Sequence, residues 1–273
     1  ANIIVHNPSE QKNLRCLYHG RKFNLDGEFK SMPDFEEAKN FPRDCENLKS
    51  FPVSRLGPCL CTSLEPEFNI KKIFDEITNR LSFFKFEKLV ERPDLTSEHI
   101  VKANWAIYCE NYLDPFHIPF VHKELTSVLD LNHYKTEIYD NYNLQIGYSK
   151  DDEDSFKIPE GNKDFGKKIS AYYYWLFPNL MLNFYPWGLS INVITPINKN
   201  RTKVSFIQFM LDESKYDLGA GGLIDKVERE DEFVVEEVSK GLESRYYSTG
   251  RFSPTKETAI HHFHSLIAKF INS

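Results

Sequence analysis

The feature of this sequence that most constrains its fold is the strand-rich segment of residues 171–211. It contains the runs YYYWLFPNLMLNFYPWG, LSINVIT and TKVSFIQFML, in which β-branched and aromatic residues are concentrated. Such residues fit the pleated surface of a sheet, and the breaks at residues 186–188 and 196–201 contain the proline, glycine or asparagine typical of turns. The segment predicts a curved antiparallel sheet, and some side chains of residues 172–187 are expected to line a substrate pocket.

Helical spacing of apolar residues predicts helices elsewhere in the chain, so the fold class is α+β. One helix is expected over residues 69–81 with Asn69 as its N-cap, and another closes the chain around residues 266–271. Residues 133–148 are expected to form antiparallel strands. The charged run 149–168 is interpreted as a solvated loop, with a lid over the pocket as the alternative.

A third predicted helix, over residues 224–242, directs an acid toward the core. Its apolar residues fall on one face, and Asp231 lies in the middle of that face, whereas Glu230 and Glu232 are turned about 100° to either side and are expected to be solvated. An unpaired buried charge is costly, so Asp231 requires a partner. That partner is either the basic side chain of a salt bridge or a metal ion.

Residues 104–124, NWAIYCENYLDPFHIPFVHKE, collect the potential metal ligands Glu110, Asp114, His117 and His122. The first three are spaced by three or four residues and would share one face of a helix. Two prolines are expected to distort the segment and to bring both imidazoles to one point. Two imidazoles and a carboxylate suit non-haem iron(II) and oxygen activation, although zinc accepts the same ligands. Polar histidines near a helix end are the alternative.

The run from Glu110 to His122 resembles the mononuclear-iron motif in the catalytic subunits of Rieske-type non-haem iron oxygenases, the ring-hydroxylating and choline-monooxygenase-like family. Residues 16–20, CLYHG, are similar to the second half of that family's Rieske cluster motif. By the order of its motifs, the resemblance covers essentially the whole chain. It implies a small all-β Rieske-like domain at residues 1–66 and a catalytic domain of the helix-grip type at residues 67–273.

The resemblance also implies the ligands of two metal centres. Mononuclear iron(II) would be bound by His117, His122 and Asp231. Cys16 and His19 would supply half of the ligands of a [2Fe–2S] cluster, which a Rieske centre binds through two cysteines and two histidines.

Two further acids receive expected roles at the mononuclear site. The resemblance implies that Asp114 is a bridge, which hydrogen-bonds His117 and reaches a cluster histidine of a neighbouring subunit. Glu110 is expected to support the metal ligands without binding the metal.

The implied activity is that of an oxidoreductase, a mono- or dioxygenase that hydroxylates or demethylates a small organic substrate with O2. Electrons from NAD(P)H would arrive through a reductase or ferredoxin, pass through the cluster and reach the iron of a neighbouring subunit, so a homotrimer is expected. Within the family, the resemblance favours the branch acting on quaternary ammonium compounds. Three alternatives remain open: a zinc-dependent hydrolase, a non-redox ligand-binding helix-grip module and an inactive fragment.

The N-terminal segment contains short apolar runs and the hairpin signal Asp26-Gly27, which together predict an all-β unit. The family carries a Cys-x-His pair upstream of its second motif, and this sequence shows none, so we expect the chain to be truncated at its start. Cys59 and Cys61 are conceivable substitute ligands, although we expect them to lie in a strand with their side chains on opposite faces.

Composition excludes several classes of protein. The net charge is −6, and no basic cluster is interleaved with aromatic residues, so we predict no nucleic-acid partner. No apolar run approaches the roughly 20 residues that cross a bilayer, so we predict no membrane partner. Five cysteines, an odd number, fit reduced thiols and a cytoplasmic location better than a disulfide scaffold.

Overall fold

The computed structural model describes residues 3–150, 155–216 and 218–272, without the side chain of Leu223. The chain divides into two compact units. The first comprises Ala1–Arg55 and Leu60–Glu67, and the second comprises Leu56–Cys59 and Phe68–Ser273.

The first unit contains short antiparallel strands. They are β1 (Leu14–Arg15), β2 (Lys22–Phe23) and β3 (Phe29–Ser31), followed by β4 (Val53–Leu56) and β5 (Cys59–Thr62), whose connecting turn belongs to the second unit. Gly27 has φ 94° in the turn between β2 and β3, so the predicted hairpin is confirmed. The side chain of Phe23 is buried, and its ring packs edge-on against Phe29.

The second unit is built on an eight-stranded sheet, whose neighbouring strands are antiparallel. Its strands are β6 (Val90–Glu91), β7 (Ser97–Val101), β8 (Lys135–Ile138), β9 (Tyr142–Tyr148), β10 (Ile169–Leu176), β11 (Leu180–Tyr185), β12 (Gly188–Asn198) and β13 (Arg201–Met210). The order is β6, β13, β12, β11, β10, β9 and β8, with β7 also paired to β13. The antiparallel strands predicted at 133–148 and 171–211 are confirmed.

Helices complete the α+β architecture of the second unit. They are α1 (Ile70–Arg80), α2 (Trp105–Leu113), α3 (Ile118–Val121), α4 (Lys123–Val128), α5 (Ile224–Leu242) and α6 (Thr258–Ile271). The side chain of Asn69 accepts a hydrogen bond from the backbone N–H of Lys72, which confirms the predicted N-cap of α1. Helix α2 contacts β12, α5 and α6, and buried Trp175 and Phe263 belong to the core that these elements enclose. No helix in the described parts of the chain is long and apolar enough to cross a membrane.

Residues 155–168 of the charged run contain no helix or strand and are mostly exposed, as expected of a solvated loop, but the loop is not solvated throughout. Residues 151–154 lie outside the described part. Phe156 and Ile158 are buried, and Asp164 is fully buried because Arg80 compensates its charge. A charged loop can therefore bury one of its acids when a cation from another element pairs with it.

The helix predicted over residues 224–242 is confirmed as α5, but its apolar stripe is not buried along its whole length. Val238 and Leu242 belong to the apolar stripe, yet they are 44% and 37% exposed, because the buried part of that stripe ends near Val235. Before the helix, Gly219–Leu223 forms a 3-10 helix. A Cβ on Gly221 would lie 2.0 Å from Nε1 of Trp187, so the glycine permits a close approach between the two segments.

Candidate metal centre

Three side chains from separate elements converge at one point of the second unit. Nε2 of His117 lies 3.1 Å from Nε2 of His122 and 3.4 Å from Oδ1 of Asp231. The third pair, Nε2 of His122 and Oδ1 of Asp231, is 3.0 Å apart. These residues form the one group of three His, Cys, Asp or Glu side chains suited to a metal ion among the residues that the structure describes. The structure thus brings together the three side chains that the sequence proposed as iron ligands.

Proline determines how the two histidines meet. Helix α2 ends at Leu113, and Asp114 is extended, as expected for a residue that precedes a proline. His117 then caps the short helix α3, and His122 joins α3 to α4 with φ −105° and ψ 76°. Two residues five positions apart on a regular helix would point in different directions. Because the helices are interrupted here, the side chains of His117 and His122 can meet.

The structure does not bring Glu110 into this group, contrary to the expected role. Its Oε1 lies 2.7 Å from Nε2 of His264 on helix α6. The expectation assumed that one helix continued from Glu110 through His117, whereas α2 stops before Asp114. Helical spacing therefore predicts no common direction for these side chains.

Asn111 and Glu230 support the ligands, and the sequence assigned neither of them. Nδ2 of Asn111 donates a hydrogen bond of 2.7 Å to Oδ1 of Asp231. Oε2 of Glu230 lies 2.7 Å from Nδ1 of His122, so an Nδ1–H proton on this ring would leave the Nε2 lone pair directed at the group. The expectation that Glu230 is solvated is wrong, because its long side chain reaches back from the flank of α5 to the buried ring of His122.

Glu232, the other acid expected to be solvated, is also partly buried. Its Oε1 lies 3.0 Å from Nδ1 of His99. Asn111 carried a detectable signal, since it belongs to the run from Glu110 to His122 that resembles the iron motif. Glu230 carried none, because its partner is 108 residues away in the chain.

Asp114 lies beside the group on the side of His117. Its Oδ2 is 3.5 Å from Nδ1 of His117, and its Oδ1 accepts a hydrogen bond of 2.7 Å from the backbone N–H of Phe116. Nδ1 of His117 is buried and has no hydrogen-bond partner among the described residues. Asp114 is thus positioned to influence His117, while its role as a bridge between subunits stays a prediction.

Electrostatics at the centre favour a bound cation. Burial opposes the charge on Asp231, but hydrogen bonds and the charges of His117 and His122 outweigh it and lower the pKa of Asp231 to about 2. Burial also opposes protonation of His117, yet Asp114 and Asp231 raise its pKa to about 9. The two nitrogen atoms and one carboxylate oxygen therefore attract positive charge, and this donor set fits iron(II) or zinc.

Cys16 and His19 lie in the first unit, on the turn that follows β1. The backbone N–H of Cys16 donates to the carbonyl of Arg21, and Gly20 adopts φ 71° to close the turn. Within the described residues, no third side chain joins Cys16 and His19 in a group that could hold a metal. Their assignment as half of a cluster's ligands stays a prediction.

Cys59 and Cys61 were expected to point to opposite faces of their strand, and this expectation is wrong. They are two residues apart in β5, and both are half-buried, whereas Leu60 between them is exposed. Side chains alternate along a strand, so residues at i and i+2 share a face.

A cavity of about 100 Å³ opens beside the three candidate ligands. Tyr173, Asn183 and Tyr185 line it, as expected for side chains of residues 172–187. Tyr112 donates a hydrogen bond of 2.7 Å from its hydroxyl to Oδ1 of Asn183. The cavity therefore combines aromatic rings with fixed polar groups next to the candidate metal centre.

Comparison with known proteins identifies the family of this chain. The family model of the ring-hydroxylating alpha subunit, catalytic domain, matches residues 86–273. The chain belongs to this family. The match includes all three candidate metal ligands, and the cavity beside them, and begins after the first unit ends.

Relatives of known activity are similar over nearly the whole chain. The chloroplastic choline monooxygenase of Arabidopsis thaliana is 30% identical, over 98% of this chain and 65% of its own length. The carnitine monooxygenase oxygenase subunit of Escherichia coli K12 is 28% identical, over 94% of this chain and 71% of its own length. The chain spans about 60 to 65% of the length of the choline monooxygenases that it matches.

Solved structures show the same fold. The structure of a quaternary ammonium Rieske monooxygenase superposes with a TM-score of 0.71 at 19% identity, covering 96% of this chain and 73% of its own. Naphthalene 1,2-dioxygenase with bound indole superposes with a TM-score of 0.63 at 17% identity, covering 97% of this chain and 74% of its own. The mixed helices and antiparallel sheet of the chain therefore agree with the catalytic-domain fold of Rieske oxygenase alpha subunits.

Proposed function

We propose that this chain is an oxygenase subunit that uses iron(II), bound by His117, His122 and Asp231, to hydroxylate or oxidatively demethylate a small quaternary ammonium compound. The observation that carries the proposal is the convergence of two imidazole nitrogens and one carboxylate oxygen beside a cavity, in a member of the ring-hydroxylating family. Bound iron(II) would supply the binding and activation of dioxygen.

The residues around the ligands would hold the metal in one orientation. Asn111 fixes the carboxylate of Asp231 by donating a hydrogen bond to Oδ1. Glu230 would accept a hydrogen bond from Nδ1–H of His122, which leaves Nε2 of that ring for the metal. Such outer contacts orient ligands and increase their basicity. The buried ring of His122 adds a second restraint, because its surroundings allow little rotation.

The size and lining of the cavity support a compact substrate. The space of about 100 Å³ beside the candidate ligands is of the size that a small molecule occupies. Aromatic faces attract cations, and five tyrosines line the space: Tyr108, Tyr112, Tyr134, Tyr173 and Tyr185. The relatives named for choline and carnitine act on compounds of this charge class, which further supports a quaternary ammonium substrate.

Electron supply is the less direct part of the proposal. Cys16 and His19 would contribute to a [2Fe–2S] cluster, and electrons from NAD(P)H would reach it through a reductase or ferredoxin. One structural relative, a quaternary ammonium Rieske monooxygenase that oxidises carnitine, transfers electrons between subunits. By analogy, Asp114 would link His117 to the cluster of a neighbouring subunit in a homotrimer.

Metal content of the purified chain tests the proposal. After anaerobic loading with iron(II), the unmodified chain is expected to retain stoichiometric iron through gel filtration, and Asp231→Ala to lose it, since one of three ligands is removed. Glu237→Ala, which changes an exposed acid on the same helix, is the matched control and should retain iron.

Competition between metals separates the proposal from the alternatives. Retention of zinc with exclusion of iron would favour the hydrolase, because the same ligands accept zinc. Failure to retain either metal would overturn the site and leave the ligand-binding module as the better account.

A further inference from the structure

Glu228 is an acid in the cavity that the metal centre does not use. It lies on α5, nearly one helical turn before Asp231, and lines the same cavity. The side chain is half-buried and forms no hydrogen bond or ion pair with any residue in the described ranges. A carboxyl group that lines a cavity without a protein partner is available to a ligand bound there.

The surroundings of Glu228 are acidic and aromatic. Its charge acts on Tyr108 and Tyr185, raising the pKa of both phenols beyond the larger effect of their burial. Burial, followed by the charges of Asp225 and Glu232, raises the pKa of Glu228 well above its ordinary value. The protein around Glu228 thus disfavours the ionised carboxylate, and a cation bound in the cavity would stabilise it.

Apart from the two histidines of the metal centre, the described lining of this cavity contains no basic side chain that would bind an anionic group. Among the described residues, the lining includes no Lys or Arg, while Asp114, Glu228 and Asp231 contribute carboxylates. Tyrosine faces add attraction for an ammonium group, as cation–π contacts require an aromatic ring within about 6 Å of the cation. Outside the metal centre itself, a zwitterion would therefore find no cationic partner for its own carboxylate in this cavity.

We propose that Glu228 recognises the positive charge of the substrate and that the cavity selects a cation without a carboxylate, of the kind found in choline, over a zwitterion such as carnitine. The inference rests on the proposed function for the identity of the reacting site. It adds a specificity-determining residue and a charge rule to that proposal.

Calorimetric titration of the purified chain, before and after iron(II) loading, tests this inference with three probes. Choline is the cation, 3,3-dimethylbutan-1-ol is its uncharged carbon isostere, and L-carnitine is the zwitterion. The unmodified chain is expected to bind choline more tightly than either of the others. Glu228→Gln keeps the shape and removes the charge, and it should weaken choline binding roughly 10- to 100-fold while leaving the isostere unchanged.

Glu237→Gln is the matched control on the same helix, because its side chain is exposed and pairs with Lys240 outside the cavity. It should leave all three affinities unchanged. An equal loss of choline and isostere affinity in Glu228→Gln, or no loss for choline, would overturn the role of Glu228. The order of affinities in the unmodified chain tests the charge rule even if the variant does not fold, and equal or tighter binding of L-carnitine would overturn it.

Failure of this inference is distinguishable from failure of the proposed function. Retained iron with no preference for choline rejects the inference alone. A preference for choline that depends on Glu228, in a chain that retains no iron, rejects the oxygenase and keeps the recognition site.

Discussion

Two groups of buried carboxylates in the second unit are compensated in different ways. Around Arg80, the guanidinium contacts both acids: Nη1 lies 2.5 Å from Oε2 of Glu137, and Nε lies 2.8 Å from Oδ2 of Asp164. Around Asp231, the charged partners are two imidazoles, and no Lys or Arg within the described residues forms an ion pair with it. One group contains a permanent cation, and the other does not.

The difference separates an acid that stabilises the fold from an acid that can bind a ligand. Asp164 is fully buried and receives further hydrogen bonds from Lys167 and the hydroxyl of Tyr172, so its acceptor capacity is well used. Arginine cannot lose its proton in a protein, which makes that compensation permanent. An imidazole that binds a metal is neutral, so the charge of Asp231 is then balanced by the metal itself.

Removal of the permanent cation should give the largest effect on stability. Arg80→Met leaves Glu137 and Asp164 without their main partner, and breaking a buried ion pair costs about 3–5 kcal/mol. The lower end is expected here because Lys135 and Lys167 remain bonded to the two acids. The free energy of unfolding, measured by urea denaturation, should fall by about 3 kcal/mol.

Arg92→Met is the matched control for this change. Arg92 also contacts two acids, Asp94 and Glu213, but those acids lie at the surface, where solvent screens the charges. The fall in the free energy of unfolding for Arg92→Met should be much smaller than for Arg80→Met. Equal losses for the two arginines would mean that burial of the carboxylates is not what makes the Arg80 group stabilising.

At the metal centre, the corresponding perturbation should reduce iron affinity rather than stability. Asn111→Ala removes the hydrogen bond to Oδ1 of Asp231 but no ligand, and changes of this kind typically reduce metal affinity about 10- to 100-fold. Competition with a chelator of known affinity under anaerobic conditions measures the change.

Glu110→Gln provides the control for Asn111→Ala. Glu110 is adjacent in the chain but contacts His264 instead of the ligand group, so iron affinity should not change. A loss of affinity in Glu110→Gln equal to that in Asn111→Ala would restore the helical-face prediction and reject the placement of these two side chains.

The same contrast explains which parts of the molecule the sequence could predict. The antiparallel strands and α1 follow from local patterns, since each strand or helix determines its own periodicity. The inward direction of Asp231 also follows from one helix. The contact between Arg80 and Asp164 joins residues 84 positions apart, and no local pattern indicates which acid in a charged run becomes buried. The prediction that Glu230 is solvated failed for the same reason, because its partner His122 lies in another element.

Irregular backbone set the remaining limit at the metal centre. The prolines in 104–124 predicted a distortion, yet they did not determine that α2 would stop before Asp114. The meeting of the two histidines was predicted correctly, whereas the orientation of Glu110 was predicted wrongly. A helical wheel is informative only as far as the helix extends.

Acid should reduce the difference between Arg80→Met and the unmodified chain. Burial alone would raise the pKa values of Glu137 and Asp164, but bonds from Arg80 and the neighbouring lysines lower both below their ordinary values. The folded state then binds fewer protons than the unfolded state. The stabilisation is complete well above the unfolded pKa values, near 4, begins to fall as the pH approaches them, and is lost as the pH falls through the folded values.

In Arg80→Met the pKa values of Glu137 and Asp164 should be lowered less, because within the described residues only lysines then remain as their cationic partners. This variant should therefore lose less stability on acidification than the unmodified chain. The gap in unfolding free energy should narrow by about 1 kcal/mol between about pH 7 and about pH 4, with both proteins measured by urea denaturation in the same buffers. The gap for Arg92→Met should change less, since its acids are exposed. A constant gap for Arg80→Met would show that Arg80 stabilises the unit by packing and not by holding two ionised acids, and the contrast with the metal centre would then no longer be one of charge.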